Sequence, residues 1–66
     1  MPFIDVTMIE GRSNEVKAEL IRKLSEVAAE TTGAPLETVR VVLREVPGHH
    51  WGVAGKPKFQ APKAEE

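Results

Sequence analysis

The chain has 66 residues, 9 of them basic and 10 acidic, a formal net charge of -1 and no cysteine, which excludes a disulfide framework and a thiolate metal site. Its intermixed charges leave no electrostatic footprint for nucleic acid or an anionic membrane, and no apolar run reaches transmembrane length. A domain this small buries only roughly 60% of the surface its unfolded chain exposes, so self-association is expected to complete its core.

Met1-Pro2 opens the chain without a charged segment followed by an apolar one, so a cytoplasmic location is the expectation. A small second residue such as Pro2 favours removal of the initiator methionine, which would leave a free secondary amine. An apolar site with cationic neighbours would bring such an amine down from its usual value near ~8 toward neutrality, where it can act as a general base. The plainer alternative is that Pro2 only fixes φ at the start of an edge strand.

Residues 3–9 alternate as a strand, with Ile4, Val6 and Met8 on the face expected to meet the core and Phe3, Asp5, Thr7 and Ile9 on the other. Gly11 permits the turn that follows, and Ser13 or Asn14 is the candidate N-cap. From Asn14 to about Thr32 the period becomes helical, with an apolar stripe of Val16, Leu20, Leu24, Val27 and Thr31, widened by Ile21 and Ala28. Gly33 is a natural C′ residue, and Pro35 keeps the helix from resuming.

Val39–Val46 is the second expected strand, with Val39, Val41 and Leu43 on one face and Arg40, Val42, Arg44 and Val46 on the other. Strand, helix and strand make an α/β (α+β) unit, β-α-β, with parallel strands and a right-handed crossover. Two parallel strands and one helix are not independently stable, so further copies of the chain are expected to supply the missing cover. Residues 49–55 suggest a short turn or C-terminal hairpin with an aromatic at its head. The expected division is a β-α-β domain over 1–55 and a tail over 56–66, in which Phe59 is the one large apolar residue.

The chemistry-bearing candidates are few. Arg12 lies in the turn after the first strand, and Arg40 lies among valines; either could hold a planar carboxylate, or simply pair with Glu10, Glu37 or Glu45 as surface arginines often do. With a prolyl amine they would suit proton abstraction next to a carbonyl on a small carboxylate substrate. Trp51, the single tryptophan, could wall such a site and exclude water, or anchor a core or interface. His49 and His50 are adjacent, diverge on an extended chain and lack a third ligand nearby, so they are treated as turn residues and no metal is expected.

Four segments together resemble the 4-oxalocrotonate tautomerase family, and specifically its small 2-hydroxymuconate tautomerases. They are Met1-Pro2 before a strand, Ile9-Glu10-Gly11-Arg12-Ser13, Ala34-Pro35-Leu36 leading to Val39-Arg40-Val41, and Gly48 through Gly55. The similarity runs from Pro2 to about Gly55. It implies a cofactor-free tautomerase assembled as a hexamer, a trimer of dimers, with sites built from neighbouring chains. Pro2 would be the general base, Arg40 would hold the 2-oxo group and its carboxylate, and Arg12 would bind a distal carboxylate. Trp51 stands where the family often has Phe, and the Pro-rich ending departs from the usual one. The same framework in the family also supports dehalogenation by hydration of haloacrylates, for which Glu45 is the conceivable water-activating carboxylate. A non-enzymatic oligomeric binding module is the remaining alternative.

Overall fold

A computed structural model describes residues 1–60 of the chain; residues 61–66, the end of the expected tail, lie outside the described residues. In chain order the elements are β1 (Phe3–Ile9), α1 (Asn14–Thr32), a 3-10 turn (Leu36–Thr38), β2 (Arg40–Val46), a second 3-10 turn (Gly48–His50), β3 (Gly52–Val53) and β4 (Lys56–Pro57). β1 and β2 pair in parallel, Phe3 opposite Arg40 through Ile9 opposite Val46. The ladder continues past both ends, because Arg40 N–H donates to Pro2 O at 3.1 Å and Glu10 N–H donates to Val46 O at 2.9 Å. The β-α-β unit with parallel strands is therefore as expected, with β2 starting one residue later, at Arg40 rather than Val39.

The helix ends are set by the side chains available. Ser13 Oγ accepts from Val16 N–H at 3.2 Å and caps the N-terminus. Gly33, at φ 79°, takes the left-handed conformation that closes the C-terminus, with its N–H donated to Ala29 O at 2.9 Å. One face of the ribbon, carrying Ile4, Val6, Met8, Val41 and Leu43, is half-buried; Phe3, Asp5 and Thr7 on the other are exposed. Val39, 8% exposed, is the single buried hydrophobic residue among the described residues. No described helix is long and apolar enough to cross a membrane.

The helix buries a narrower and rotated stripe than its apolar pattern suggests. Leu20, Leu24 and Ala28 are half-buried together with Lys17, whereas Val16, Val27 and Thr31 are exposed. The reason is width: two strands about 4.8 Å apart cannot cover the apolar side of a helix roughly 10 Å across. Lys17 enters the covered stripe because its Nζ meets Glu45 Oε1 of β2 at 2.8 Å. Val16 and Val27 are left on a bare shoulder.

The C-terminal hairpin is present but extends further than the sequence suggests. β3 and β4 pair antiparallel, Gly52 opposite Pro57 and Val53 opposite Lys56, around the two-residue turn Ala54-Gly55. Both turn residues have positive φ, 53° and 84°, the type I′ pattern that matches strand twist. Lys56 and Pro57, assigned to the tail from sequence, are thus the hairpin's second strand.

Candidate active site

Pro2 is half-buried at the leading tip of β1, and Met1 ahead of it is 85% exposed. Its carbonyl is tied to Arg40 N–H, which brings the two backbones together. Their side chains diverge, however. Arg40 shares its sheet face with Phe3, and successive residues of a strand point to opposite faces, so Pro2 belongs to the other.

Arg12 lies at the far end of the same strand. The backbone reverses at Gly11, whose φ of 132° falls where side-chain-bearing residues rarely go. Arg12 Nη1 then donates back to Ile9 O at 3.0 Å. Trp51 is half-buried at this same end, after β2 has stopped at Val46 and the chain has kinked through Pro47-Gly48. One chain thus holds Pro2 and Arg40 at one end of the ribbon and Arg12 and Trp51 at the other. It does not bring the four side chains to one place.

The four arginines divide into two chemical classes. Arg22 is paired with Glu19 and Glu26 on the helix, and Arg44 with Asp5 at 3.1 Å on the sheet. Arg12 and Arg40 have no carboxylate partner among the described residues. Arg40 Nη1 instead donates to Glu37 O at 2.7 Å, and also lies 3.4 Å from Val39 O. The expected alternative, an ion pair to Glu10, Glu37 or Glu45, is not what the described residues form. Glu45, the conceivable water-activating carboxylate, is engaged by Lys17 and stands opposite Met8, far along the ribbon from Pro2.

His49 and His50 are turn residues as expected, but their side chains do not diverge. They sit in a 3-10 turn rather than an extended segment, so their rings meet edge to face with centroids 4.4 Å apart. Among the described residues no group of three or more His, Cys, Asp or Glu side chains is placed to hold a metal ion. The sequence reading assigned no role to Lys58 and Phe59, yet both fold back on the Trp51 turn. Lys58 N–H donates to Trp51 O at 2.7 Å and Phe59 N–H to Gly48 O at 3.4 Å. The turn dipeptide Ala54-Gly55 after Val53 was the signal that the chain would double back there.

A family model described as "Tautomerase enzyme" matches residues 2–60. The chain belongs to the tautomerase family. A probable tautomerase of Ralstonia nicotianae is 59% identical over 61 residues, covering 92% of this chain and 87% of its own length. A 2-hydroxymuconate tautomerase of Pseudomonas putida is 49% identical over 55 residues, covering 83% of this chain and 87% of that protein. Among solved structures, a heterohexamer 4-oxalocrotonate tautomerase from Chloroflexus aurantiacus superposes with a TM-score of 0.84 at 48% identity, over 88% of this chain and 94% of that one. Tautomerases are isomerases that interconvert keto and enol forms, and this chain, with their β-α-β fold and C-terminal hairpin, is one of them.

Proposed function

We propose that the mature chain ketonises a 2-hydroxydienoate such as 2-hydroxymuconate to its conjugated 2-oxo acid, without a cofactor. The observation that carries this reading is the pair of arginines, Arg12 and Arg40, each held by a backbone carbonyl and with no carboxylate partner among the described residues. A guanidinium oriented in this way keeps further N–H groups for a planar carboxylate. Two of them suit a dicarboxylate. The names of the Pseudomonas relatives point to the same substrate class.

The reaction moves one proton and no other atoms. With Met1 removed, the Pro2 nitrogen takes the proton of the 2-hydroxyl group. The oxygen's electron pair closes the 2-oxo group, the double bonds shift, and the same amine returns a proton to a carbon of the chain. Arg40 holds the 2-oxo group and its carboxylate as charge develops, Arg12 draws electron density toward the distal carboxylate, and Trp51 keeps water out. While Met1 remains, the Pro2 nitrogen is an amide and has no basic lone pair; its exposure leaves it open to removal.

The positions of the four residues, two at each end of one ribbon, support a site shared between chains. We take the working form to be a homo-oligomer, a hexamer built as a trimer of dimers, in which one copy's leading strand tip meets another's Arg12 end. The test is a dienol-ketonisation assay on protein whose N-terminus is proved by intact mass to begin at Pro2. Pro2→Ala is expected to lose most of kcat, and Arg12→Ala and Arg40→Ala to lower kcat/KM for the dicarboxylate. Unchanged kcat in Pro2→Ala removes the base from the mechanism.

A further inference from the structure

The C-terminal segment is fastened to the Trp51 turn in a way that neither the reaction nor the hairpin's own pairing requires. The hairpin is weak by itself: it has two cross-strand pairs, and one of them contains Pro57, which has no N–H to donate. What secures it lies just beyond. Trp51 N–H donates to Gly48 O at 3.2 Å, closing the 3-10 turn, and Trp51 O accepts from Lys58 N–H at 2.7 Å. Both polar groups of the Trp51 backbone are therefore engaged, one by the turn and one by the returning strand.

Phe59 completes the fastening from the other side. Its ring lies so close over Gly48 that a Cβ there would overlap the ring, while Phe59 N–H reaches the same Gly48 carbonyl at 3.4 Å. Gly48 is outside the left-handed region, so its missing side chain is needed here for space and not for backbone conformation. Phe59 is otherwise 53% exposed.

We infer that Phe59 is a positioning residue that fixes Trp51 by holding the Gly48–Trp51 turn closed, and so sets the fit of the substrate against the apolar wall. This rests on the reading of Trp51 as that wall. Phe59 itself touches no reacting atom. Its loss frees the returning strand, lets the bond from Lys58 to Trp51 open, and leaves the indole mobile.

Because Trp51 is the single tryptophan, its emission reports the effect directly. Acrylamide quenching and steady-state kinetics on 2-hydroxymuconate are compared for the full mature chain and for Phe59→Ala, Phe59→Leu and Gly48→Ala, with assembly checked by size exclusion. Phe59→Ala is expected to quench more readily and to raise KM roughly five-fold with kcat changed less than about two-fold. Gly48→Ala displaces the ring from the opposite side and is expected to do the same, while Phe59→Leu recovers most of the fit. Unchanged quenching or unchanged KM in Phe59→Ala overturns the proposal. Should that variant fail to assemble, equal quenching of Gly48→Ala and Phe59→Leu overturns it. The quenching comparison needs no turnover, so it decides this proposal even if the dienol is not the substrate.

Discussion

Two impaired variants of this chain are expected to restore activity when mixed, and the geometry sets how much. Pro2 precedes β1 and Arg12 follows it, so the seven-residue strand Phe3–Ile9 lies between them, a span of roughly 23 Å at ~3.3 Å per residue. An arginine tied to Ile9 O does not cross that distance, so a site using both residues draws them from two chains. In a 1:1 mixture of Pro2→Ala and Arg12→Ala chains, unfolded together and refolded, each site takes its Pro2 and its Arg12 independently. About one quarter of the sites then carry both native residues. The assay is dienol ketonisation, with mass spectrometry to verify mixed assemblies and Met1 removal. At limiting dicarboxylate the expected result is about one quarter of wild-type activity in the mixture, well above the residual activity of either parent. Mixed assemblies that stay at the parents' level show that one chain supplies both residues, and the two-chain site is then wrong.

Three further predictions concern the framework. Ser13→Ala removes the acceptor for Val16 N–H and is expected to destabilise the protein by about 1 kcal/mol in urea melts at fixed chain concentration, with no change in kcat per assembled site. Ala54→Asn creates the Asn-Gly turn that the φ values of 53° and 84° call for, and is expected to stabilise by about 0.5–1 kcal/mol; a loss would mean the turn is not type I′ in solution. The hydrogen bond from Arg22 holds the Glu19 carboxyl below its usual range. A depressed folded pKa contributes stability above the unfolded value and loses it as pH falls through the folded one. Urea midpoints of wild type and Glu19→Gln are therefore expected to converge as pH falls through the lowered folded value, and a constant gap down to acid pH would refute the pairing.

The elements were legible because local chemistry and tertiary structure agree there. Ser13 and Gly33 cap the helix where their side chains and backbone freedom indicate, and the alternation of Ile4, Val6 and Met8 matches the half-buried face of β1. The apolar stripe of the helix was less legible. Val16 and Val27 satisfy the period that a full core would need, but a two-strand ribbon reaches only Leu20, Leu24 and Ala28. The pattern thus records more cover than one chain possesses. The histidine pair reads as turn residues and lies in the 3-10 turn after Pro47; only the side-chain divergence of an extended chain does not apply there.

The candidate site residues each suggest a chemistry in the sequence but not a geometry. Pro2, Arg12, Arg40 and Trp51 each carry a plausible role, yet spacing along the sequence does not say that two lie at one end of a ribbon and two at the other. That arrangement follows from the parallel register, which sets Pro2 beside Arg40 and Glu10 beside Val46. The packing of Phe59 on Gly48 was hidden because it depends on a glycine, and an absent side chain leaves no mark in an apolar pattern.

The surfaces left bare by one chain and the residues left apart by it point to one cause. Phe3 on the open sheet face is 64% exposed, Val16 and Val27 on the helix shoulder are 53% and 63% exposed, and Val39 alone among the described residues is buried. A chain standing alone would leave these side chains in water and would lack the transfer free energy that normally offsets the entropy of ordering it. Association that covers Phe3 stabilises β1 beside Pro2; association that covers Val16 stabilises the first helical turn, a few residues after Arg12. The contacts that would make the fold stable therefore act on the same two ends of β1 that hold Pro2 and Arg12, the proposed base and the proposed carboxylate clamp. Weakening the packing at either surface should lower stability and site occupancy together, most at low chain concentration, whereas truncating Arg12, which gives up only its Nη1 bond to Ile9 O, should act on kcat/KM and not on assembly.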